Sequence, residues 1–144
     1  MLVGSEYNPP INTNLIRIIE MGNRAVITLK DDTIPKEDQL SVYLHWNGGL
    51  DSIEPLLRFC RANFNDRNPL ERVAEVANLM FGGNHVIEPY KNCDTDNYDN
   101  GVYFINGSFG IVAREHMRNE EQDHHDPKEM YREIQFRYKY NKTL

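Results

Sequence analysis

Arg24 to Lys30 (RAVITLK) sets β-branched and aliphatic residues between two cations and reads as a strand. Leu40 to Trp46 (LSVYLHW) alternates Leu, Val, Leu and Trp with Ser, Tyr and His, the period of two that a half-buried strand requires. Asp31 to Asp38, between them, is a charged loop containing Pro35. After Asn47-Gly48-Gly49 the period changes: Ile53, Leu56, Leu57, Cys60 and Phe64 recur at helical spacing. Asp51 and Glu54 sit ahead of that stripe as a capping box. A second helix starts at Asn68, with Pro69 in its first position and Glu71 completing the box. Its stripe is Leu70, Val73, Ala74, Ala77, Met80 and Phe81, and Gly82-Gly83 ends it.

The rest of the chain is mostly extended in this reading. Val86 to Tyr90 is a short edge strand, because Pro89 cannot donate to a ladder. Residues 91–100 form a polar, Asn-rich loop. Val102–Asn106 and Phe109–Ala113 are two strands around Asn106-Gly107. Residues 119–129 are strongly charged, a loop or short helix, and residues 133–140 (EIQFRYKY) alternate and read as a closing strand. Upstream, residues 1–14 are an irregular arm rich in Pro and Asn, and Leu15 to Glu20 is a short apolar segment that Gly22-Asn23 breaks. The order β-β-α-α-β-β-β predicts an α+β fold, an antiparallel sheet packed against two consecutive helices.

At 144 residues the chain is a single domain (1–144), long enough to remove roughly two thirds of its unfolded surface from water. Its 16 Lys and Arg against 22 Asp and Glu give a net charge of −6, which disfavours a DNA or RNA polymer as partner but leaves room for a local basic pocket. The two cysteines fall in unlike settings, Cys60 on an apolar helix face and Cys93 in the polar loop, which argues against a disulfide framework and for a reducing cytosol. No apolar run is long enough to cross a bilayer and no signal-like segment opens the chain, so no membrane partner is expected and the expected location is cytoplasmic.

No G-x-S-x-G, H-E-x-x-H, Walker A or G-x-G-x-x-G occurs, and neither cysteine has an obvious His partner, so no catalytic residue, metal or cofactor is expected. His124-His125, between Asp123 and Asp126, lacks the further Asp and His clusters that a metallophosphoesterase needs and reads as a solvated loop. His45 reads as a packed or surface histidine and Trp46 as a core anchor. Arg114 and Arg118 are the stronger candidates. If the chain turns helical after its strand they share a face, their side chains about 5–6 Å apart at the base. That spacing suits a diphosphate, and a guanidinium grips phosphate with two bonds or stacks on a base. The competing reading is an alternating-charge surface with Glu115, Glu120 and Glu121. Phe81, Tyr90, Tyr98, Tyr103 and Phe109 supply aromatic faces nearby, or simply core. Asn92, Asn97 and Asn100 are donors to ribose or phosphate, or turn residues.

The strand pair, the two helices ending in Phe81-Gly82-Gly83, the Asn-rich loop, the strand opened by Asp99-Asn100-Gly101, and Arg114 with Arg118 together resemble the small phage anti-Thoeris proteins of the first described type. The resemblance covers most of residues 24 to 140. It implies a nucleotide sponge: a phage anti-defence protein that binds and sequesters a cyclic ADP-ribose isomer made by a bacterial TIR enzyme, without cleaving it. Some members also trap cyclic oligonucleotides, and members assemble as dimers and, in several cases, hexamers. Carried over by position, Phe81 and Arg114 sandwich the adenine while Asn92 and Arg118 hold ribose and phosphate. Asn97 or Asn100 is an alternative to Asn92, and Asn100 and Tyr103 complete the candidate set. Two other functions compete. One is an acidic protein-binding inhibitor centred on Glu120, Glu121, Asp123 and Asp126. The other is a small nucleotide hydrolase using Asp123, His124 or His125.

Overall fold

A computed structural model describes residues 23–65, 68–116 and 124–143. The N-terminal arm, the apolar segment at 15–20, Arg118 and residues 119–123 of the charged run at 119–129 lie outside the described residues. The elements are β1 (Ala25–Leu29), β2 (Leu40–Leu44), α1 (Leu50–Asn63), α2 (Pro69–Phe81), β3 (Ile87–Pro89), β4 (Val102–Ile105), β5 (Ile111–Glu115) and α3 (Pro127–Thr143), with single-turn helices at Lys36–Asp38 and Tyr90–Asn92. The class is α+β, as expected.

The five strands form one sheet in the order β3-β2-β1-β4-β5. Three of its pairings are antiparallel, but β1 and β4 run parallel, from Val26↔Val102 to Leu29↔Ile105. The expected all-antiparallel sheet is corrected there. Both helices and β3 lie between these two strands in the chain, and such a long connection returns β4 to the free edge of β1 in the same direction.

One sheet face carries Ala25, Ile27, Val42, Leu44, Tyr103 and Ile105, packed against the stripes of α1 and α2. The opposite face is a smaller cluster of Val26, Val102 and Phe104, covered by Tyr43, Tyr90 and Cys93. On that face the buried Thr28 and Ser41 hydroxyls bond each other at 2.8 Å, so each satisfies a polar group that would otherwise be costly.

The segment at 133–140 is helix α3, not a closing strand. Its buried positions are Ile134 and, partly, Met130, Tyr131 and Tyr138, which recur at helical spacing. Phe136 and Tyr140, which gave the false period of two, point outward and stack on each other at 6.2 Å. Asp51 does not cap α1: Gly49 is the N-cap, and Asp51 lies buried in the first turn. Asn68 is the N-cap of α2 by position, without a side-chain bond.

The β4–β5 hairpin begins where expected, but β5 starts two residues later than the pattern suggests. Asn106 accounts for the shift, because its side-chain oxygen accepts from both Ser108 N and Gly110 N and closes a longer loop.

Candidate functional site

Helix α2 stops at Phe81 because Gly82 and Gly83 take φ of 73° and 81°, the left-handed region where a side chain would be strained. A Cβ at either glycine would meet nothing within 4 Å, so the backbone there is open. The chain then returns to α2 through Asn78, whose Oδ1 accepts both the His85 backbone N–H at 2.6 Å and His85 Nδ1 at 2.5 Å.

Facing this turn is the end of β2. Its last paired residue is Leu44, so the inward alternation of Val42 and Leu44 does not extend to Trp46. Trp46 is 47% exposed rather than a core anchor. His45 meets the indole edge-on, 4.7 Å between ring centroids, and His45 Nδ1 lies 2.9 Å from the Tyr43 hydroxyl. Together Tyr43, His45, Trp46, Phe81 and His85 line a cavity of about 420 Å³ with Gly82, Gly83 and Asn84. Burial lowers the pKa of His85 and keeps it neutral, and burial raises that of Tyr43 and keeps its hydroxyl protonated.

Phe81 is shared with a second cavity of about 430 Å³, between the end of α2 and helix α3. Arg137 lines it, held by Glu133 at 2.8 Å and donating to the Met80 carbonyl at 3.1 Å. His125 and Asn47 line it too, their side chains 3.2 Å apart.

The other sequence candidates lie elsewhere. Arg114 is in strand β5, paired with Tyr103, so the helical face proposed for Arg114 and Arg118 does not begin there. Its guanidinium sits 4.0 Å from the centroid of the Tyr103 ring and donates to the Asn100 carbonyl at 3.1 Å. Arg114 lines a third cavity, of about 480 Å³, with Lys30, Lys36, Phe104 and Glu115. That cavity shares no residue with the two that Phe81 lines. Tyr103 is fully buried and its hydroxyl donates to the Gly48 carbonyl at 2.7 Å.

Asn92 is exposed at the end of its single-turn helix. Asn100 is fully buried, its amide donating to Asn23 Oδ1 and to the Arg24 carbonyl, so it joins the start of β1 to the start of β4. Asn97 is also buried, bonded to Asp94 O and Gly101 N. His124 and His125 give their backbone N–H groups to Asp51 Oδ2, at 2.5 and 2.7 Å. Among the described residues, no group of three or more His, Cys, Asp or Glu could hold a metal ion.

The chain matches no known protein-family profile, no curated protein and no solved structure.

Phe81, which the resemblance singled out, lines both cavities at this end of α2. His85, Asn78 and Arg137, at the same end of the helix, are not among the sequence candidates. Asn78 and His85 meet only because the Gly82-Gly83 turn folds the chain back onto α2, and Arg137 lay in a segment read as strand. The one local signal was the pair His45-Trp46 beside Asn47, a residue at φ 60° just past the end of β2.

Proposed function

We propose that this chain is a phage anti-defence protein that binds and sequesters a cyclic ADP-ribose-type immune signal without cleaving it, in the cytoplasm of an infected bacterial host. Cyclic oligonucleotides are the second ligand class in this reading. The observation that carries it is the cavity in which Phe81 and Trp46 present aromatic surface beside the open Gly82-Gly83 backbone. A nucleobase needs such faces, and glycines let a sugar–phosphate approach the main chain. Arg137, fixed beside Phe81 in the adjoining cavity, supplies a cation within the same region.

Phe81 and Arg114 line separate cavities of one chain. For both to sandwich one base, as the resemblance implies, Arg114 must come from a second copy. A symmetric homo-oligomer, dimer or hexamer, therefore belongs to this reading. No helix among the described residues is long and apolar enough to cross a membrane.

The test is calorimetric titration of the full chain with cyclic ADP-ribose isomers and cyclic di- and trinucleotides, repeated on Phe81→Ala, Arg114→Ala and Arg118→Ala. The expected result is tight binding that the substitutions weaken, with intact ligand recovered after heating. Binding to none of them overturns the reading and moves the acidic protein-binding inhibitor forward. Recovery of cleaved ligand overturns it in favour of a hydrolase.

A further inference from the structure

Phe81 borders two cavities. Among the described residues, no Lys, Arg, Asp or Glu lines the one it shares with Trp46. In the other, Arg137 stands with Asp126, Glu129 and Glu133, so carboxylates outnumber the guanidinium. The cavity that Arg114 lines has the opposite balance. Lys30, Lys36 and Arg114 stand in its wall against Asp32 and Glu115, three cations to two carboxylates in a chain whose net charge is −6. Its volume of about 480 Å³ falls within the range of small-ligand sites.

The two ammonium groups are held at this wall. Lys36 Nζ donates to Glu115 Oε2 at 2.7 Å and lies 5.2 Å from the centroid of the Tyr90 ring. Lys30 Nζ donates to Asp32 Oδ1. Both members of each pair line the cavity. Each bond uses one of the three donors of an ammonium group. Both pairs are partly exposed, so turning a lysine toward a stronger anion costs little. Tyr90, bonded to Glu115 at 2.6 Å, opens the single turn that ends at Asn92, so the turn carrying that candidate is tied to the same wall.

We infer that Lys30 and Lys36 hold the diphosphate of the ligand, acting from the same copy of the chain as Arg114, while Phe81 of a second copy lies against the base. The inference rests on the nucleotide-binding reading above and adds two residues that the resemblance does not name. A diphosphate brings two negative charges close together and needs cations in excess around it. Among the described residues that line the three cavities, cations exceed carboxylates here alone.

The test is titration of the full chain with the cyclic ADP-ribose isomers, repeated on Lys30→Gln, Lys36→Gln and Lys36→Arg. Lys139→Gln removes a charge from an exposed position of α3 outside the cavity and is the control. Each cavity lysine changed to Gln is expected to weaken binding about ten-fold while the thermal melt stays put. Lys36→Arg and Lys139→Gln stay within about three-fold of the unsubstituted protein. Chains carrying Phe81→Ala and chains carrying Lys36→Gln are then co-expressed in equal amounts. About one quarter of the sites should recover full affinity, those that take Phe81 from one kind of chain and the lysines from the other. Unchanged affinity in both Lys→Gln variants overturns the inference and leaves the sponge reading standing. A loss that Lys139→Gln matches also overturns it, because net charge then accounts for the effect. So does a mixture in which no site recovers. Binding of no cyclic ADP-ribose isomer by the unsubstituted protein overturns the cyclic ADP-ribose reading, and this inference with it.

Discussion

The Arg114 guanidinium sits over the ring of Tyr103, 4.0 Å from its centroid, and the two residues are direct cross-strand partners in β4 and β5. Tyr103 in turn donates to the Gly48 carbonyl just ahead of α1, and Arg114 donates to the Asn100 carbonyl at the start of β4. The arginine therefore ties the edge strand to the buried loop that joins β1 and β4. Arg114→Ala removes a cation–π contact and a charge-assisted bond, and should cost about 1–3 kcal/mol of stability. Urea unfolding measures it. An unchanged midpoint would mean the arginine contributes nothing to the fold. Any loss of binding in this variant has to be read beside its stability.

Gly101 takes φ 66°, and a Cβ placed there would lie 1.9 Å from the Glu115 carbonyl oxygen. Its own carbonyl accepts from Val26 N, so the turn sets the parallel register of β1 and β4. Gly101→Ala meets both the strained dihedral and a backbone clash, and should destabilise by about 3 kcal/mol or more. A melting temperature close to that of the unsubstituted protein would show that the two strands can separate at this end without cost.

Much of this architecture was legible in short patterns. RAVITLK and LSVYLHW gave β1 and β2 because each has one continuous inward face, and the two apolar stripes gave α1 and α2. Tertiary burial decided the misses. EIQFRYKY alternates in type, yet only Ile134 in it is fully buried, and Phe136 and Tyr140 are apolar residues on an outer face. The parallel pairing of β1 with β4 has no local signature, since either direction buries the same residues. The end of α2 at Phe81 could be picked out beside a glycine stop. The contacts of His45 with Tyr43 and of His85 with Asn78 could not, because only the fold brings those residues to hydrogen-bond distance.

Glu115 accepts from Lys36 Nζ at 2.7 Å and from the Tyr90 hydroxyl at 2.6 Å, joining β5 to both single-turn helices. Burial pushes its pKa up, but the bonds from Lys36 and Tyr90 outweigh that and leave it below the ordinary 4.5. A carboxylate depressed in the folded state adds stability that is present above its unfolded value and is lost as pH falls through the folded one. The stability difference between the unsubstituted protein and Glu115→Gln should therefore be full at neutral pH and shrink as the pH drops below 4.5. The effect is small, because the side chain is 44% exposed. A difference constant down to acid pH would show that the ionised carboxylate is not its source.

Asp51 is 4% exposed and takes the backbone N–H groups of His124 and His125 on one oxygen, just ahead of α3. It sits in the first turn of α1, where a negative charge is favoured. The carboxylate thereby clasps the start of α3 to α1 and holds His125 beside Asn47. Asp51→Ala leaves two amides without their acceptor and should cost about 2–4 kcal/mol. Hydrogen exchange distinguishes a clasp from general damage: amides of α3 should lose protection first, while those of α1 and α2 keep theirs. Uniform loss across all three helices would deny the local role.

Trp46 and Phe81 line the same cavity but differ in what the fold asks of them. Phe81 is half-buried and packs against the main core, so Phe81→Ala should lower stability by about 1–2 kcal/mol. Trp46 lies past the end of β2 with nearly half its surface exposed, and Trp46→Ala should change stability by less than about 1 kcal/mol. If the cavity holds a base, each ring contributes about 1–3 kcal/mol of stacking, so either substitution should weaken binding about five-fold or more. Trp46→Ala is the cleaner probe, because its thermal melt should hardly move while its affinity falls. Unchanged affinity in Trp46→Ala, with the melt also unchanged, would place the ligand away from this cavity and leave Phe81 as a core residue that happens to border it.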